Sequence, residues 1–595
     1  MSSLYYRPDI QGLRAIAVLA VIGFHFNPAW LPGGFIGVDV FLVISGFLIT
    51  SILLQKKTQA DYSLLKTLKY FYSSRFKRIV PAYFVMLVVV ALVAAIFFLP
   101  QDFNTFKKGL EKAAWFNSNT YFADFGDYFA PANHEQPLLH TWSLAVEIQF
   151  YIIAPFIVLL LSDRWLKWVF ASLLFGLTAI AEYRLRVMGV EQATYYSLYA
   201  RMPEFLAGGL AALFVRKISE GNKGGLWIGK LGLVLIILST ITQPLLGPFP
   251  GIAAMLPVVG SVLLISQPAQ GWVGILLSSR ILVWIGALSY SLYLWHWPVL
   301  AFLRYSTGVE VLSFGISFMF ILLTLLLSII SYYSVERAFR SRRTSKKQAV
   351  GVLFLAASVL GTSQVMAKVN LVFTPEQLPI EYRRYADPAT ICHGQIVGDC
   401  MRGDLSSDKE ILVLGDSHAA MLNHYFDYLG NNLGFKARII TASSCVTITD
   451  FDYHKLPEWA QQSCLNQIEE AKVYIQDADV ILIAGMWSYQ LENEEFKIRM
   501  NSFFENSNTK VKIYIASQIA MFDSNPSRLR RFNDIGFNAK SKIDLEYVDA
   551  NRQLEEMASL YDNVEYIPLN DIDFFSTIPL YKGSGCIVID IMLMK

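Results

Sequence analysis

The chain has 595 residues, 54% hydrophobic and 16% charged, with a formal net charge of +2. Globular domains usually carry about 25% charged residues, so part of this chain must lie in lipid, and the near-neutral balance argues against a general nucleic-acid binder. All five cysteines, Cys392, Cys400, Cys445, Cys464 and Cys586, fall in the last third, which predicts two different environments along the chain.

From the N-terminus, about eleven apolar segments approach the ~20 residues that span a bilayer. They lie near residues 12–30, 35–54, 80–99, 138–161, 165–183, 195–215, 226–242, 251–267, 281–303, 311–333 and 349–367. Basic residues recur at alternate connections. Arg7 and Arg14 flank the start of the first segment, and Lys56, Lys57, Lys66, Lys69, Arg75, Lys77 and Arg78 lie between the second and third. Arg164 and Lys167, then Arg216, Lys217 and Lys223, then Arg280, follow the fourth, sixth and eighth; Arg337, Arg340, Arg342, Arg343, Lys346 and Lys347 follow the tenth. All fall on one side if the N-terminus is cytoplasmic, and eleven spans then place everything after about residue 370 outside the cytoplasm. The first segment lacks a small-residue cleavage site, so it reads as an uncleaved span.

Polar residues inside the spans carry the functional signal, because charge in hydrocarbon is costly. Arg14 and His25 share the first span, about 16 Å apart along a helix at about 1.5 Å per residue. Asp39 sits in "GGFIGVDVFLVISGFLIT", and "HTWSLAVEIQFY" embeds His140, Glu147 and Gln149. Arg201 and Glu204 open the sixth span, and "SYSLYLWHWP" places His296 in the ninth. Any one of these reads as a satisfied interhelical hydrogen bond; together they predict a polar cavity in the bundle. Arg75 and Arg78, three apart in "RFKRIVPAY", share a helical face and could clamp an anion such as phosphate.

These motifs in this order resemble the acyltransferase-3 family of integral-membrane acyltransferases over residues 5 to 340. The resemblance implies a cytoplasmic acyl donor, acetyl-coenzyme A, with His25 as the central catalytic residue and Arg75 and Arg78 holding the donor, assisted by Arg14. It implies no metal. Either Asp39 or Glu147 would orient His25 as an acid orients the base of a triad.

Beyond residue 368, "TPEQLPIEYRRYADPAT" reads as a linker. "EILVLGD", "ARIITA", "VILIAG", "KVKIYIAS" and "VEYIPL" then alternate with helical patterns near 418–432, 457–477, 490–505 and 545–560. That alternation predicts a parallel, flavodoxin-like α/β sheet with its site at the C-terminal ends of the strands. Cys392 with Cys400, and Cys445 with Cys464, bracket loops and are expected to form two bridges in an oxidising compartment, leaving Cys586 over.

Gly415-Asp416-Ser417-His418 at the first strand end resembles the SGNH hydrolase family. The resemblance implies Ser417 as nucleophile, its own N–H contributing to an oxyanion hole. Trp487 stands where that family has an asparagine, and the family's late Asp-x-x-His is not met: no histidine follows His454, and Asp590 has Leu593 three residues on. His418 is adjacent to Ser417 and poorly placed as its base. The expectation is a chain cut before that motif; the alternative is a glycan-binding domain without catalysis.

The expected architecture is a polytopic α-helical bundle of about ten helices plus one linking helix, followed by an α/β SGNH-like domain. Its boundaries are 1–345 for the bundle, 346–400 for the eleventh helix and linker, and 401–595 for the outer domain. A membrane bundle fused to such a domain resembles bacterial O-antigen and cell-surface polysaccharide O-acetyltransferases. The resemblance implies a multi-pass protein of the bacterial inner membrane with a periplasmic C-terminal domain. It would carry acetyl from acetyl-coenzyme A to a lipid-linked polysaccharide, lipopolysaccharide O-antigen foremost. The alternative is a transporter of acylated lipid or glycan.

Overall fold

The computed structural model describes residues 6–124, 133–215, 225–266, 270–340, 365–373, 387–519 and 543–569, with a few isolated residues after 519. It divides into two compact units, residues 1–305 with 309–374, and residues 375–595 with 306–308.

In the first unit Pro8 opens helix α1 (Pro8–Phe26), where its missing N–H costs nothing. Helix α2 (Gly37–Lys57) follows after a short turn. Helix α3 (Leu64–Phe97) begins about four turns before the third expected span. No breaker separates "LLKTLKYFYSSRFKR" from the apolar run, so Arg75 and Arg78 ride on the helix itself. Pro81 lies inside it, and the chain turns extended at Phe98 before Pro100 starts α4 (Pro100–Ala114). After α5 (Ser118–Ala123) come α6 (Thr141–Leu160), α7 (Asp163–Arg186), α8 (Glu191–Tyr196) and α9 (Leu198–Val215). The rest are α10 (Gly225–Thr242), α11 (Met255–Ser266), α12 (Gly271–Leu277), α13 (Arg280–Thr307) and α14 (Phe314–Ile330).

Among the described residues, six helices are long and apolar enough to cross a membrane, or seven if Gly251–Ser266 and Gly271–Leu277 count as one bent span. Helices α9 and α13 cover two further expected spans but carry Arg201 and Glu204, and His296 and Arg304, as buried residues. Most of the eleventh expected span lies outside the described residues. In α7 and in Phe314–Arg340 only 22% of the apolar window is buried, so these helices present apolar side chains outward, as lipid contact requires.

Glycines set how closely α2 and α9 pack. A Cβ on Gly46 would stand 2.0 Å from the Phe205 carbonyl oxygen, and one on Gly208 2.0 Å from that of Val43. Both backbones therefore touch where only hydrogen fits, the small-residue packing typical of membrane helices.

The second unit is built on a six-stranded sheet of β1 (Met401–Gly403), β2 (Glu410–Gly415), β3 (Lys436–Thr441), β4 (Val480–Ala484), β5 (Lys512–Ala516) and β6 (Val564–Ile567), in the order β1-β3-β2-β4-β5-β6. The last five are parallel, and their order is the flavodoxin-like one. The parallel expectation misses β1, which pairs antiparallel with β3 in the register Met401↔Arg438. Three residues without alternation give no strand signal.

Side chains alternate across the sheet. Leu412 and Leu414 enter one core while Val413 enters the other, so both faces of β2 are covered, as a parallel strand needs. The disulfides Cys392–Cys400 and Cys445–Cys464 both form, with Cα separations of 5.5 and 5.8 Å. Cys586, Asp590 and Leu593 lie outside the described residues.

Candidate active site

One cavity in the first unit encloses about 760 Å³, its mouth included. Arg14 of α1 and Arg75 and Arg78 of α3 line it, with Glu147 and Tyr151 of α6, Ser45 of α2, and Ser143 and Tyr293 farther along. None of the three arginines makes a hydrogen bond or ion pair with a described residue, and the buried Nε of Arg75 has no partner at all. Uncompensated guanidinium groups in a buried wall are expensive, and a bound anion would offset that cost. The residues thus fit the phosphates of an acyl donor.

Glu147 does not neutralise the arginines by contact. It accepts 2.6 Å from the Ser45 hydroxyl and a short hydrogen bond from Tyr151. Arg75 instead lies 5.8 Å from the ring centres of both Phe71 and Tyr151.

His25 sits in the last turn of α1, half-buried. Its carbonyl, which has no partner within the helix, accepts 2.8 Å from Arg304. Its Nδ1 lies 3.0 Å from Nε2 of His296, and the Trp297 ring stands edge-on at 4.4 Å. His296 Nδ1 approaches the carbonyls of Tyr293 (2.8 Å) and Leu292 (3.1 Å) one turn back. Neither histidine lines the cavity; Tyr293 does, and its ring centre is 5.4 Å from that of His296. The Tyr293 hydroxyl bonds Ser143 at 2.6 Å and donates to the His140 carbonyl at 3.1 Å.

The expectation that Asp39 or Glu147 orients His25 is corrected by this geometry. Asp39 is 1% exposed and accepts 3.0 Å from Arg201, itself 1% exposed and 3.7 Å from Glu204. Arg201 is further held by its Nε bond to the Tyr195 carbonyl, with its guanidinium 4.4 Å from the Tyr195 ring centre. A buried arginine draws the nearest carboxylate into a pair, which leaves Asp39 committed to helix α9. Glu147 is committed to hydroxyls in the arginine-lined part of the cavity. The group that meets His25 is His296, which the sequence marks as polar without assigning it a role. One signal was available: Tyr293 and His296 are three apart, on one face of a helix.

In the second unit, Gly415 ends β2 at φ +147°, and a Cβ there would lie 1.8 Å from the Ala484 carbonyl oxygen. Only glycine allows this turn. Asp416 caps the four-residue helix Ser417–Ala420, its Oδ1 accepting 2.8 Å from the His418 N–H. Its Oδ2 accepts 2.8 Å from the Met486 N–H and 3.4 Å from Gln490. Ser417 is 9% exposed, and no hydrogen bond links its hydroxyl to a histidine among the described residues. Trp487 is buried and donates 2.7 Å to the Ala516 carbonyl, so it serves the core rather than replacing an asparagine donor.

Arg14, Arg75 and Arg78 thus line one cavity with Tyr293, which packs beside the His25–His296 pair. Residues 7–333 match the acyltransferase domain family, and the chain belongs to it. Residues 384–573 match the SGNH domain found fused to such domains.

Among curated relatives, the chain is similar to a peptidoglycan O-acetyltransferase, OatA, of Listeria monocytogenes serovar 1/2a. The two are 35% identical over 317 residues, which cover 50% of this chain and 49% of that protein. It is also similar to the O-acetyltransferase OatA of Staphylococcus aureus NCTC 8325, 32% identical over 359 residues and 58% of each chain. The chain thus spans about half the length of the curated relatives it matches. No solved structure matches it.

Proposed function

We propose that the protein is an integral-membrane O-acyltransferase that moves acetyl from cytoplasmic acetyl-coenzyme A to a sugar hydroxyl of a cell-envelope polysaccharide. The observation that carries this reading is the single cavity joining three unpartnered arginines to Tyr293, whose neighbour His296 bonds His25. In this scheme Arg14, Arg75 and Arg78 hold the phosphates of the donor. The thioester end points toward the histidine layer. His25 takes the proton of the attacking hydroxyl as its oxygen bonds the acetyl carbon; the C–S bond breaks, and the thiolate leaves with that proton. Imidazole suits the task because a neutral ring offers one bare nitrogen that can accept a proton.

The proposed setting is the bacterial inner membrane, with the N-terminus cytoplasmic and the SGNH domain periplasmic. Lipid-linked O-antigen is the acceptor implied by the motifs, and peptidoglycan is the one named for the Listeria relative. Ser417 is the proposed outer nucleophile, used where an Asp and His partner is supplied.

The test uses membranes containing the full chain and radiolabelled acetyl-coenzyme A. Label in base-labile esters of envelope glycan is expected, and mass spectra of O-antigen and peptidoglycan identify which carries it. Movement of intact glycan without label would overturn the transferase reading in favour of a transporter.

A further inference from the structure

We propose that His296 is a positioning residue that fixes the tautomer of His25, so that His25 presents a bare Nε2 to the reacting hydroxyl. The proposal rests on the reading of His25 as the proton acceptor and deepens it.

His296 is fully buried, and its Nδ1 lies 2.8 and 3.1 Å from two backbone carbonyl oxygens. Carbonyls only accept, so Nδ1 carries the hydrogen. In a neutral imidazole the other nitrogen is then a bare acceptor. That atom, Nε2, lies 3.0 Å from His25 Nδ1. Two bare nitrogens at this distance would repel, so His25 Nδ1 must donate. Its own hydrogen now sits on Nδ1, and Nε2 is left with its lone pair.

The reverse arrangement needs hydrogens on both His296 nitrogens, that is, a buried cation. Among the described residues no carboxylate hydrogen-bonds either ring, while the Arg304 guanidinium already donates to the His25 carbonyl at 2.8 Å and the His140 ring stands edge-on 6.0 Å from His296. A cationic His296 would therefore add a second positive charge beside Arg304 with no described carboxylate on its ring. The chain Tyr293 carbonyl–His296–His25 does what the carboxylate does in a serine-hydrolase triad, which is to hold the base in one tautomer and orientation. It does so with a neutral group, as befits a site in low dielectric.

Two features make the lock rigid. The carbonyls that set His296 belong to its own helix, one turn back, so no loop motion can release it. Trp297, next in sequence, packs edge-on against the His25 ring at 4.4 Å and restrains its plane.

The experiment compares His296→Leu with His296→Gln in the full chain, measuring acetyl transfer from labelled acetyl-coenzyme A in membranes against donor concentration. Leu removes the acceptor; the Gln side-chain oxygen restores one. General-base effects are worth about 10²–10⁴-fold, so His296→Leu is expected to lower kcat about a hundredfold while leaving the donor KM unchanged. His296→Gln should recover at least tenfold of that loss. Equal rates for the two variants would overturn the proposal, as would a loss expressed in KM alone. If the Leu variant fails to accumulate, His296→Gln is judged against wild type. Retention of a tenth or more of wild-type kcat at unchanged KM supports the lock, and a fall to the level of His25→Ala refutes it. Transfer that survives His25→Ala would instead sink the parent reading, which keeps the two failures distinct.

Discussion

Both units pair arginines with carboxylates, but three arginines of the membrane unit stand apart. In the SGNH unit, where water screens charge, the pairs are Arg402 with Asp427, Arg438 with Glu410, Arg499 with Glu495 and Arg552 with Asp549 and Glu556. Such surface pairs are worth little, about 0–1 kcal/mol. In the membrane unit Arg7, Arg186, Arg201 and Arg340 are likewise paired, but Arg14, Arg75 and Arg78, where an unpaired charge is expensive, have no hydrogen-bond or ion-pair partner among the described residues. Electrostatics alone would produce the reverse. The proposed donor would supply the missing anion, and on that proposal the contrast separates a structural arginine (Arg201) from binding arginines in the same bundle.

The strongest way to break this comparison is through His25. His25→Ala is expected to abolish acetylation of envelope glycan while the protein still inserts and accumulates. Near wild-type transfer by that variant would remove the reason for the cavity. The arginines come next. Arg75→Ala combined with Arg78→Ala should raise the donor concentration needed for half-maximal rate by at least tenfold, since charge-assisted hydrogen bonds contribute roughly 1.5–3 kcal/mol each. Unchanged donor dependence would reduce the pair to topology signals. Arg201→Ala should behave differently, lowering accumulation of the protein by stranding Asp39, because breaking a buried pair costs roughly 3–5 kcal/mol.

How much of this was legible follows the range of the interaction. All five parallel strands and the helices between them were readable, because a strand buried on both faces is an unbroken apolar run and its flanking helix is periodic. The disulfides were readable from loop spacing. The arginine pair was visible too, since three residues on one helix share a face. The partner of His25 was not: His296 is 271 positions away, and a pattern of single residues cannot say which of several buried polar groups meet. Asp39 and Glu147 were plausible orienters by chemistry alone, and only packing shows Arg201 taking one and the Ser45 and Tyr151 hydroxyls the other. Helix α3 exceeded its expected span because hydropathy finds the membrane segment, whereas helix length depends on caps and breakers.

A smaller effect tests the paired unit. Removing a native disulfide typically costs 2–5 kcal/mol, so Cys445→Ser with Cys464→Ser should lower the unfolding midpoint of the SGNH unit, followed by proteolysis on heating. Cys392→Ser with Cys400→Ser closes a shorter loop and should cost less. Thiol labelling without reductant should leave all four cysteines protected. Labelling of all four would undo the bridges and, with them, the argument for an oxidising location.

The smallest expected effect belongs to Ser417. Its surroundings are built: Gly415 makes the turn, and Asp416 is held by the N–H groups of His418 and Met486. Yet a serine hydroxyl at its ordinary pKa is a weak nucleophile without an adjacent base, and none is hydrogen-bonded to it among the described residues. Asp416 cannot serve, since both its oxygens are engaged as a helix cap and a tether to the β4 loop. Loss of a triad base usually costs orders of magnitude in rate, so the chain should hydrolyse a simple acetyl ester little above background, and Ser417→Ala should change that rate by less than twofold. A fluorophosphonate serine probe should likewise label wild type and variant equally. Asp416→Ala, in contrast, should destabilise the unit by about 0.5–2 kcal/mol through the lost cap. Adding an Asp-x-x-His segment in a longer chain should switch on a Ser417-dependent rate. Strong Ser417-dependent hydrolysis by the present chain would mean that a base reaches the serine after all, and the contrast between a scaffolded but silent serine in the SGNH unit and the proposed site of the membrane unit would fail.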